Sequence, residues 1–478
     1  MQKTQIENYY KALRTKDPRY DGRFYFGVTT TGIYCRPTCF AKPKKENVLF
    51  YRSQAEAEKA GYRPCLRCRP DLSPTSAQWQ GTAAVVKRAL RIMSDSDPGD
   101  LNITDLAERL GLSDRHLRRL FEEHLGVSPI EVAISKRLHF SRMLLSQTQM
   151  SITDIAYTSG FNSLRRFNDA FAKTYKKNPR EFRKELGQQA FSTDASLQIQ
   201  LPYLQPYDWD DHLRFLKNHA IYGVDRVQNE TYERHGFIGN NYFRFEVRNQ
   251  EKLHQLQVTL QLSELKILSL LIEKIRHLFD LEHNPHQVNY TSPLFKNSEG
   301  TRVPGAFDAF ETAVSVILGQ LVSVEQGRNN IRKLVETFGN PLDRPWNENL
   351  RFIFPTPQVL AKNDVSVIGL PKTRATAIQI LAQKYATQEI DLSAHCDLEK
   401  TKEQLLAIKG IGPWTAEMIA LRCLRDPNAY PGSDLILKRV HEKYKFDSES
   451  LAPWRAYAAL ALWKKFAQEL SRPLKETK

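Results

Sequence analysis

No stretch of this 478-residue chain is an apolar run of the ~18 residues that cross a bilayer. Its N-terminus also lacks the apolar core of a secretory signal. Both absences argue against a membrane or exported protein and for a cytoplasmic one. Cysteine is scarce, six in all, and the six do not form an extracellular disulfide pattern. Acidic residues fall short of basic ones, 54 Asp+Glu against 69 Lys+Arg, which leaves a net charge of +15 and a pI near 9.4. Such a balance calls for a polyanionic partner. The excess is uneven: residues 1–190 carry 33 basic and 20 acidic side chains, the remainder 36 and 34. Only the first part has the electrostatic footprint of nucleic-acid binding, so the rest would have to bind such a partner through local geometry rather than overall field. With 41% hydrophobic residues and this length, three or four domains are expected.

Four of the six cysteines fall between Phe24 and Asp71. Cys35 and Cys39 form C-x3-C, and Cys65 and Cys68 form C-x2-C after a gap of 25 residues. Two short pairs separated by a loop let four thiolates converge on one tetrahedral zinc. On spacing alone the site is a structural zinc clip, with a rubredoxin-like iron site as the other option.

The surrounding residues are Phe24-Tyr25-Phe26-Gly27-Val28, Thr30 to Cys39, Glu46-Asn47-Val48 and Ala60-Gly61-Tyr62-Arg63-Pro64-Cys65-Leu66-Arg67-Cys68. This stretch resembles the zinc domain of the Ada family, which repairs methylphosphotriesters in DNA. The resemblance implies that Cys35 is both a ligand and the nucleophile that takes the methyl group. Zinc keeps thiols deprotonated, and the thiolate is the reactive form. Four thiolates on zinc carry a net −2, and methylation of one leaves −1, so DNA affinity rises after repair. Lys42, Lys44, Lys45, Arg63, Arg67 and Arg69 flank the cysteines and are candidates to hold the DNA backbone, as is Thr31. Each of the basic residues could instead be a solvated surface charge. Pro-Cys-His-Arg, the signature of O6-methylguanine methyltransferases, is absent because Leu66 follows Pro64-Cys65.

Residues 103–121 and 152–171 look alike. Ile103-Thr104-Asp105-Leu106-Ala107 with Gly111 recurs as Ile152-Thr153-Asp154-Ile155-Ala156 with Gly160. Each copy reads as helix, glycine turn and second helix, the spacing of a helix-turn-helix. The second helices offer Arg115, His116, Arg118 and Arg119, then Arg165, Arg166 and Asn168, residue types that reach bases and phosphates. A helix over about Ile130 to Ser146 would link the copies, and another is predicted over Thr82–Met93. Phe161, Phe167 and Phe171 and the run Asn178-Pro179-Arg180-Glu181-Phe182-Arg183 resemble the AraC/XylS-type regulators. The phenylalanines belong to the core under either reading. Next to a zinc domain of the Ada type, this module implies a transcription regulator activated by methylation, with RNA polymerase and promoter DNA as partners.

After a predicted linker at Gly187–Thr193, Tyr242–Val247 and Leu256–Leu262 alternate with period two and read as strands. Ser263–Leu281 has helical periodicity, and from Pro304 the pattern is helical throughout. Near the end, Ile408-Lys409-Gly410-Ile411-Gly412-Pro413-Trp414 reads as a tight helical hairpin whose Gly410 and Gly412 amides can hold a phosphate. Pro431-Gly432-Ser433-Asp434 follows and opens another helix. Together with Pro206-Tyr207-Asp208-Trp209, Ile317 to Val324 and Pro453-Trp454-Arg455-Ala456-Tyr457, these residues resemble the AlkA-type 3-methyladenine DNA glycosylases. The resemblance implies Asp434 as catalytic aspartate, Gln320 and Leu321 at the DNA with Leu321 as wedge, and Trp414 and Trp454 in the base pocket. From the residues alone, Asp434 is a helix N-cap, Leu321 a buried helix leucine and the tryptophans core. A lysine stands at the Trp414 position in lyase-active relatives, so its absence implies a monofunctional enzyme. Met418 replaces a tyrosine of close relatives. Cys396 and Cys423 are too few for an iron–sulfur cluster and read as buried free thiols.

The expected architecture is multidomain and mainly α. It comprises a small zinc-bound α/β domain (1–76), an all-α double helix-turn-helix domain (77–187), an α+β domain with an antiparallel sheet (198–287) and an all-α helix-hairpin-helix glycosylase domain (288–472). The expected function is a DNA alkylation-damage response: methyl transfer to Cys35 that activates transcription, and excision of alkylated purines with Asp434, with Zn2+ as cofactor and double-stranded DNA as partner. Two alternatives stay open, a regulator whose glycosylase half only recognises damage, and a zinc that is purely structural.

Overall fold

A computed structural model describes residues 3–70, 84–96, 98–185, 196–288, 293–343 and 345–470. The expected linker at Gly187–Thr193 lies outside them, as does the start of the helix expected from Thr82, which is described from Ala84 to Asp95. Among the described residues no helix is long and apolar enough to cross a membrane.

The N-terminal unit is a four-stranded sheet in the order β3-β1-β2-β4, with β1 at Tyr25–Val28, β2 at Ile33–Cys35, β3 at Val48–Tyr51 and β4 at Arg63–Pro64. β1 pairs antiparallel with β2 and β3, while β4 runs parallel to β2. The parallel pair matters most. It brings Cys65, just after β4, beside Cys35, at the end of β2, with the Cys65 amide donating to the Tyr34 carbonyl at 3.0 Å.

The two repeats fold as Ile103–Arg109 with Asp114–Leu125, and Ile152–Thr158 with Leu164–Tyr175. Each of these helices starts at an Asn or Ser whose side chain accepts an N-terminal amide. The linking helix runs Pro129–Gln147, lengthened at its start by a Ser128–Glu131 capping box. Gly160 sits at φ +84°, and a Cβ there would meet the Pro98 backbone at 2.6 Å. Phe121, Phe167 and Phe171 are fully buried.

The third region is an antiparallel sheet in the order β5-β9-β8-β7-β6, with β5 at Leu197–Pro202, β6 at Asp225–Gln228, β7 at Thr231–Ile238, β8 at Asn241–Gln250 and β9 at Gln255–Leu262. Phe243, Phe245, Val247, Leu256, Val258 and Leu260 all point inward, as their alternation requires. The helix expected from Ser263 begins later, at Leu268–Leu278, behind a short turn at Leu265–Ile267. Glu264 is extended there and holds the chain out of the helix.

The last region is a helical bundle with one departure from the expected pattern, a two-stranded ribbon of Asn340–Pro341 with Phe352–Ile353. Gly339 is extended and Pro341 cannot donate to a helix, so the chain turns back as a ribbon. The bundle surrounds an apolar core that includes Phe310, Val314, Ile331, Leu334, Ile378, Leu381 and Ile419.

The regions are packed against one another. One continuous core contains Leu144 and Leu145 of the linking helix and Phe167 and Phe171 of the second repeat together with Ile199, Leu201, Phe243 and Leu268 of the sheet region. Arg88 and Arg91 of the Ala84–Asp95 helix donate to the His395 and Ala394 carbonyls at 2.7 and 2.9 Å. Ser53 Oγ of the zinc unit donates to the Leu125 carbonyl at 2.7 Å.

Candidate metal centre and candidate active site

The sulfurs of Cys35, Cys39, Cys65 and Cys68 all lie within 4.8 Å of one another. Four thiolates on a tetrahedral zinc, each at ~2.3 Å, stand roughly 3.8 Å apart, so the quartet fits that ion and needs only a small contraction. Sulfurs this close share protons. Hydrogen bonds with Cys39, Cys65 and Cys68 raise the Cys35 thiol, and the same contacts, led by Cys35, lower Cys65. A divalent ion in place of those protons satisfies all four sulfurs at once, and the centre is a Zn2+ site.

Arg36, next to the first ligand, is tied to buried Asp21 through Nε at 2.8 Å, and its Nη1 donates to the Cys68 carbonyl at 3.4 Å. A fixed cation therefore bridges the two cysteine pairs. Cys35 is only 2% exposed. Around this centre Lys42, Lys44, Lys45 and Arg67 are exposed, Arg63 and Arg69 are half-buried, and Thr31 is exposed in the β1–β2 turn. In the repeats, Arg115, Arg118 and Arg119 lie exposed on one second helix and Arg165 and Arg166 on the other, with His116 and Asn168 half-buried.

At the other end, Asp434 begins the Leu435–Tyr444 helix. Its Oδ1 accepts the Ile436 and Leu437 amides at 2.9 and 3.3 Å, so the N-cap reading describes its backbone contacts. The same carboxylate also accepts two indole N–H groups. Trp414 Nε1 reaches Oδ2 at 3.3 Å and Trp463 Nε1 reaches Oδ1 at 2.9 Å. All four contacts are donors, the partners an ionised carboxylate takes. The two indoles stand one on each of two helices, Pro413–Arg422 and Arg455–Leu470.

Trp454 lies elsewhere. Its ring meets His283 and Tyr457 edge-on, at 5.6 and 5.7 Å between centroids, in a cavity shared with Lys87 and Arg91. Sequence reasoning stopped at the Pro453–Tyr457 motif and missed Trp463. The available signal was physical: a tryptophan in a final helix otherwise rich in Ala and Leu must bury its ring and still find an acceptor for its N–H. Met418 is buried one turn beyond Trp414. Cys396 and Cys423 are buried free thiols, pushed up to about 11 and about 12 by burial.

Gly410 has φ +101°, a conformation that favours glycine, and packs on the start of the Lys372–Ala386 helix. A Cβ on Gly412 would meet nothing within 4 Å, so its backbone faces open space. Leu321 is fully exposed in a left-handed turn, not buried in a helix. Gln320 turns its amide away from solvent, with Nε2 donating to Thr415 Oγ1 at 2.7 Å and to the Gly410 carbonyl at 3.0 Å.

Comparison with known proteins gives three family matches: residues 8–71 match the metal binding domain of Ada, 106–185 a helix-turn-helix domain and 198–308 the AlkA N-terminal domain. A Mycobacterium tuberculosis protein described as a probable bifunctional transcriptional activator/DNA repair enzyme AlkA is 32% identical, over 96% of both chains. DNA-3-methyladenine glycosylase 2 of Escherichia coli is 31% identical over 55% of this chain and 95% of its own. The bifunctional transcriptional activator/DNA repair enzyme Ada of Escherichia coli is 35% identical over 32% of this chain and 42% of its own.

Proposed function

This chain belongs to the family of bifunctional transcriptional activators and DNA repair enzymes of the AlkA type, and from that premise we propose that one half senses methylated DNA backbone while the other excises alkylated purines. The sensor and regulator comprise residues 1–76 and 77–187, the glycosylase 198–287 and 288–472. The two indoles that converge on the Asp434 carboxylate, beside an open hairpin, are the observation that carries the enzymatic part.

An alkylated ring nitrogen makes the purine cationic and a better leaving group. As the bond from C1′ to that base breaks, positive charge builds on the sugar. Asp434 stabilises this charge and orients a water whose oxygen bonds to C1′, while its proton leaves with solvent or base. Fixed charge of this kind is worth roughly 3 kcal/mol or more. The base must first leave the stack, and Leu321 fills the gap. Gly410 and Gly412 hold a backbone phosphate, and the Trp414 and Trp463 rings attract the cationic base. Asp434→Asn in the full chain should lower excision of 3-methyladenine by at least about a hundredfold. Equal rates would end the assignment.

In the sensor, bound zinc would keep the four sulfurs as thiolates. The Cys35 sulfur attacks the methyl carbon of a methylphosphotriester. A C–S bond forms, the C–O bond breaks and the phosphodiester anion leaves. Because a thioether does not return the methyl, each chain reacts once. Loss of one negative charge strengthens DNA binding by the exposed lysines and arginines, and promoter-bound protein then recruits RNA polymerase. The burial of Cys35 favours a second reading, a structural zinc with no transfer. Mass spectrometry after exposure to methylated DNA separates the two: a methyl on Cys35 supports the sensor, while a methyl on another ligand or on none supports the clip.

A further inference from the structure

The turn between the Ala309–Leu318 and Val324–Phe338 helices presents Leu321 to solvent at φ +54°. A branched residue in that conformation is strained, and a leucine in water gains nothing from packing. Something other than Leu321 must therefore hold the turn. Two side chains do. Arg374, in the first turn of the Lys372–Ala386 helix, donates Nη2 to the Gln320 carbonyl at 2.7 Å. Gln320 donates its own amide to the Gly410 carbonyl and to Thr415 Oγ1 on the hairpin. Gly410 in turn lies 3.1 Å, measured from an added Cβ, from the Thr373 carbonyl beside Arg374. Wedge turn, phosphate-holding hairpin and the start of a third helix thus close a ring of contacts around the peptide that precedes Leu321.

We propose that Arg374 and Gln320 are positioning residues that lock Leu321 in its inserting conformation before DNA arrives. This rests on the glycosylase reading given above and adds to it. A free turn would have to give up conformational freedom at the moment of insertion, whereas a clamped one has already done so. The hold on Gly410 also fixes the spacing between wedge and hairpin, so the site where a phosphate binds and the site where the duplex is opened keep one separation. Arg374 acts through the Gln320 carbonyl and not through DNA.

The test uses the full chain and one 7-methylguanine oligonucleotide, either as a paired duplex or with the lesion in a one-nucleotide bulge. In the bulge no base pair has to be broken, so the wedge matters less. Arg374→Ala should lower the ratio of paired to bulged excision by about tenfold, the loss that one hydrogen bond to a charged group produces, and Leu321→Ala should lower it at least as much. Arg374→Lys should restore part of it. In the Leu321→Ala background, Arg374→Ala should add nothing, and the salt dependence of DNA binding should stay the same. Additive losses, or a shallower salt dependence, would make Arg374 a phosphate contact and overturn the proposal. If Leu321→Ala leaves the ratio intact while Asp434→Asn stops excision, the wedge and its clamp both fall and the glycosylase reading stands. If Asp434→Asn excises normally, that reading fails itself. Gln320→Ala removes the other hold, and its paired-to-bulged ratio decides the matter in the same way should Arg374→Ala not fold.

Discussion

Cys35 and Asp434 are the two groups assigned chemistry, and their surroundings are built in opposite ways. Around Cys35 the partners are three residues of its own type, close in sequence, brought together by two neighbouring strands. The apolar core behind them is small, with Leu13, Phe26 and Val28 as its main buried members. Around Asp434 the side-chain partners come from distant segments, the Trp414 and Trp463 indoles on two separate helices. Behind them stands a large helical core. A unit with so small a core leans on an ion to complete its folding, whereas the bundle orients its carboxylate without one, through the amides and packed indoles that donate to it.

Metal removal gives the largest expected effect and tests this contrast directly. A structural zinc in a small domain contributes on the order of 10 kcal/mol to folding. A strong chelator should melt the sheet of β1–β4, seen as loss of amide protection over residues 24–64, while excision of alkylated purines persists. If the sheet survives with no metal bound, the small core suffices and the contrast is wrong.

The same difference explains what could be read from the residues. The cysteine quartet was legible because its spacing is local and chemically distinctive. The repeats were legible because Ile-Thr-Asp recurs with its glycine at constant offset. The sheet followed from strict alternation in Tyr242–Val247 and Leu256–Leu262. The ribbon at Asn340–Pro341 was not, since two residues carry no period. Trp463 was missed because its partner lies 29 positions away in sequence and is met only through tertiary packing. Composition alone made Leu321 a buried helix residue, and only the resemblance pointed to the exposed position that it occupies.

The enzyme half has its own buried charges, and these sharpen the comparison through pH. Arg234 is almost wholly buried, pairs with Asp225 at 2.8 Å and also bonds Glu311. Burial pushes Glu311 up to about 7, against the opposing pull of Arg234. A carboxyl raised on folding gives stability that is complete below its unfolded value of about 4.5 and lost as pH rises through about 7. Glu311→Gln should therefore flatten the fall in thermal stability over that window, by at most about 3 kcal/mol. The zinc unit responds with the opposite sign, since acid protonates thiolates and releases metal. Parallel melting curves of wild type and variant from pH 4.5 to 7 would count against the burial argument.

Trp463 and Trp454 form a matched pair for the active site. Trp463→Phe keeps the ring and removes one donor from Asp434, a loss of roughly 1.5–2 kcal/mol for a bond to a charged acceptor. Excision should slow about tenfold or somewhat more. Trp454→Phe keeps its edge-on ring contacts with His283 and Tyr457 and should leave the rate alone. Reversed results would mean that the cavity at Trp454, and not the Asp434 corner, receives the base.

The smallest effect concerns the seam where the two kinds of construction meet. β5 pairs with β9 on one side only, so its other edge is open to the neighbouring regulator. Gln147, the last residue of the linking helix, covers it with its amide. Its Oε1 accepts the Gln200 amide at 2.7 Å, and its Nε2 donates to the Gln200 carbonyl at 3.3 Å. One side chain thereby imitates a partner strand and closes an edge that would otherwise invite pairing with another chain. Gln147→Ala leaves an edge amide to water and should cost about 1 kcal/mol. Because a single core runs from Leu144 and Phe171 to Ile199 and Phe243, that loss should lower the melting of regulator and sheet together. If hydrogen exchange shows the sheet protected as before while the repeats alone loosen, the shared core does not couple the halves, and the regulator is a separately folding passenger on the enzyme.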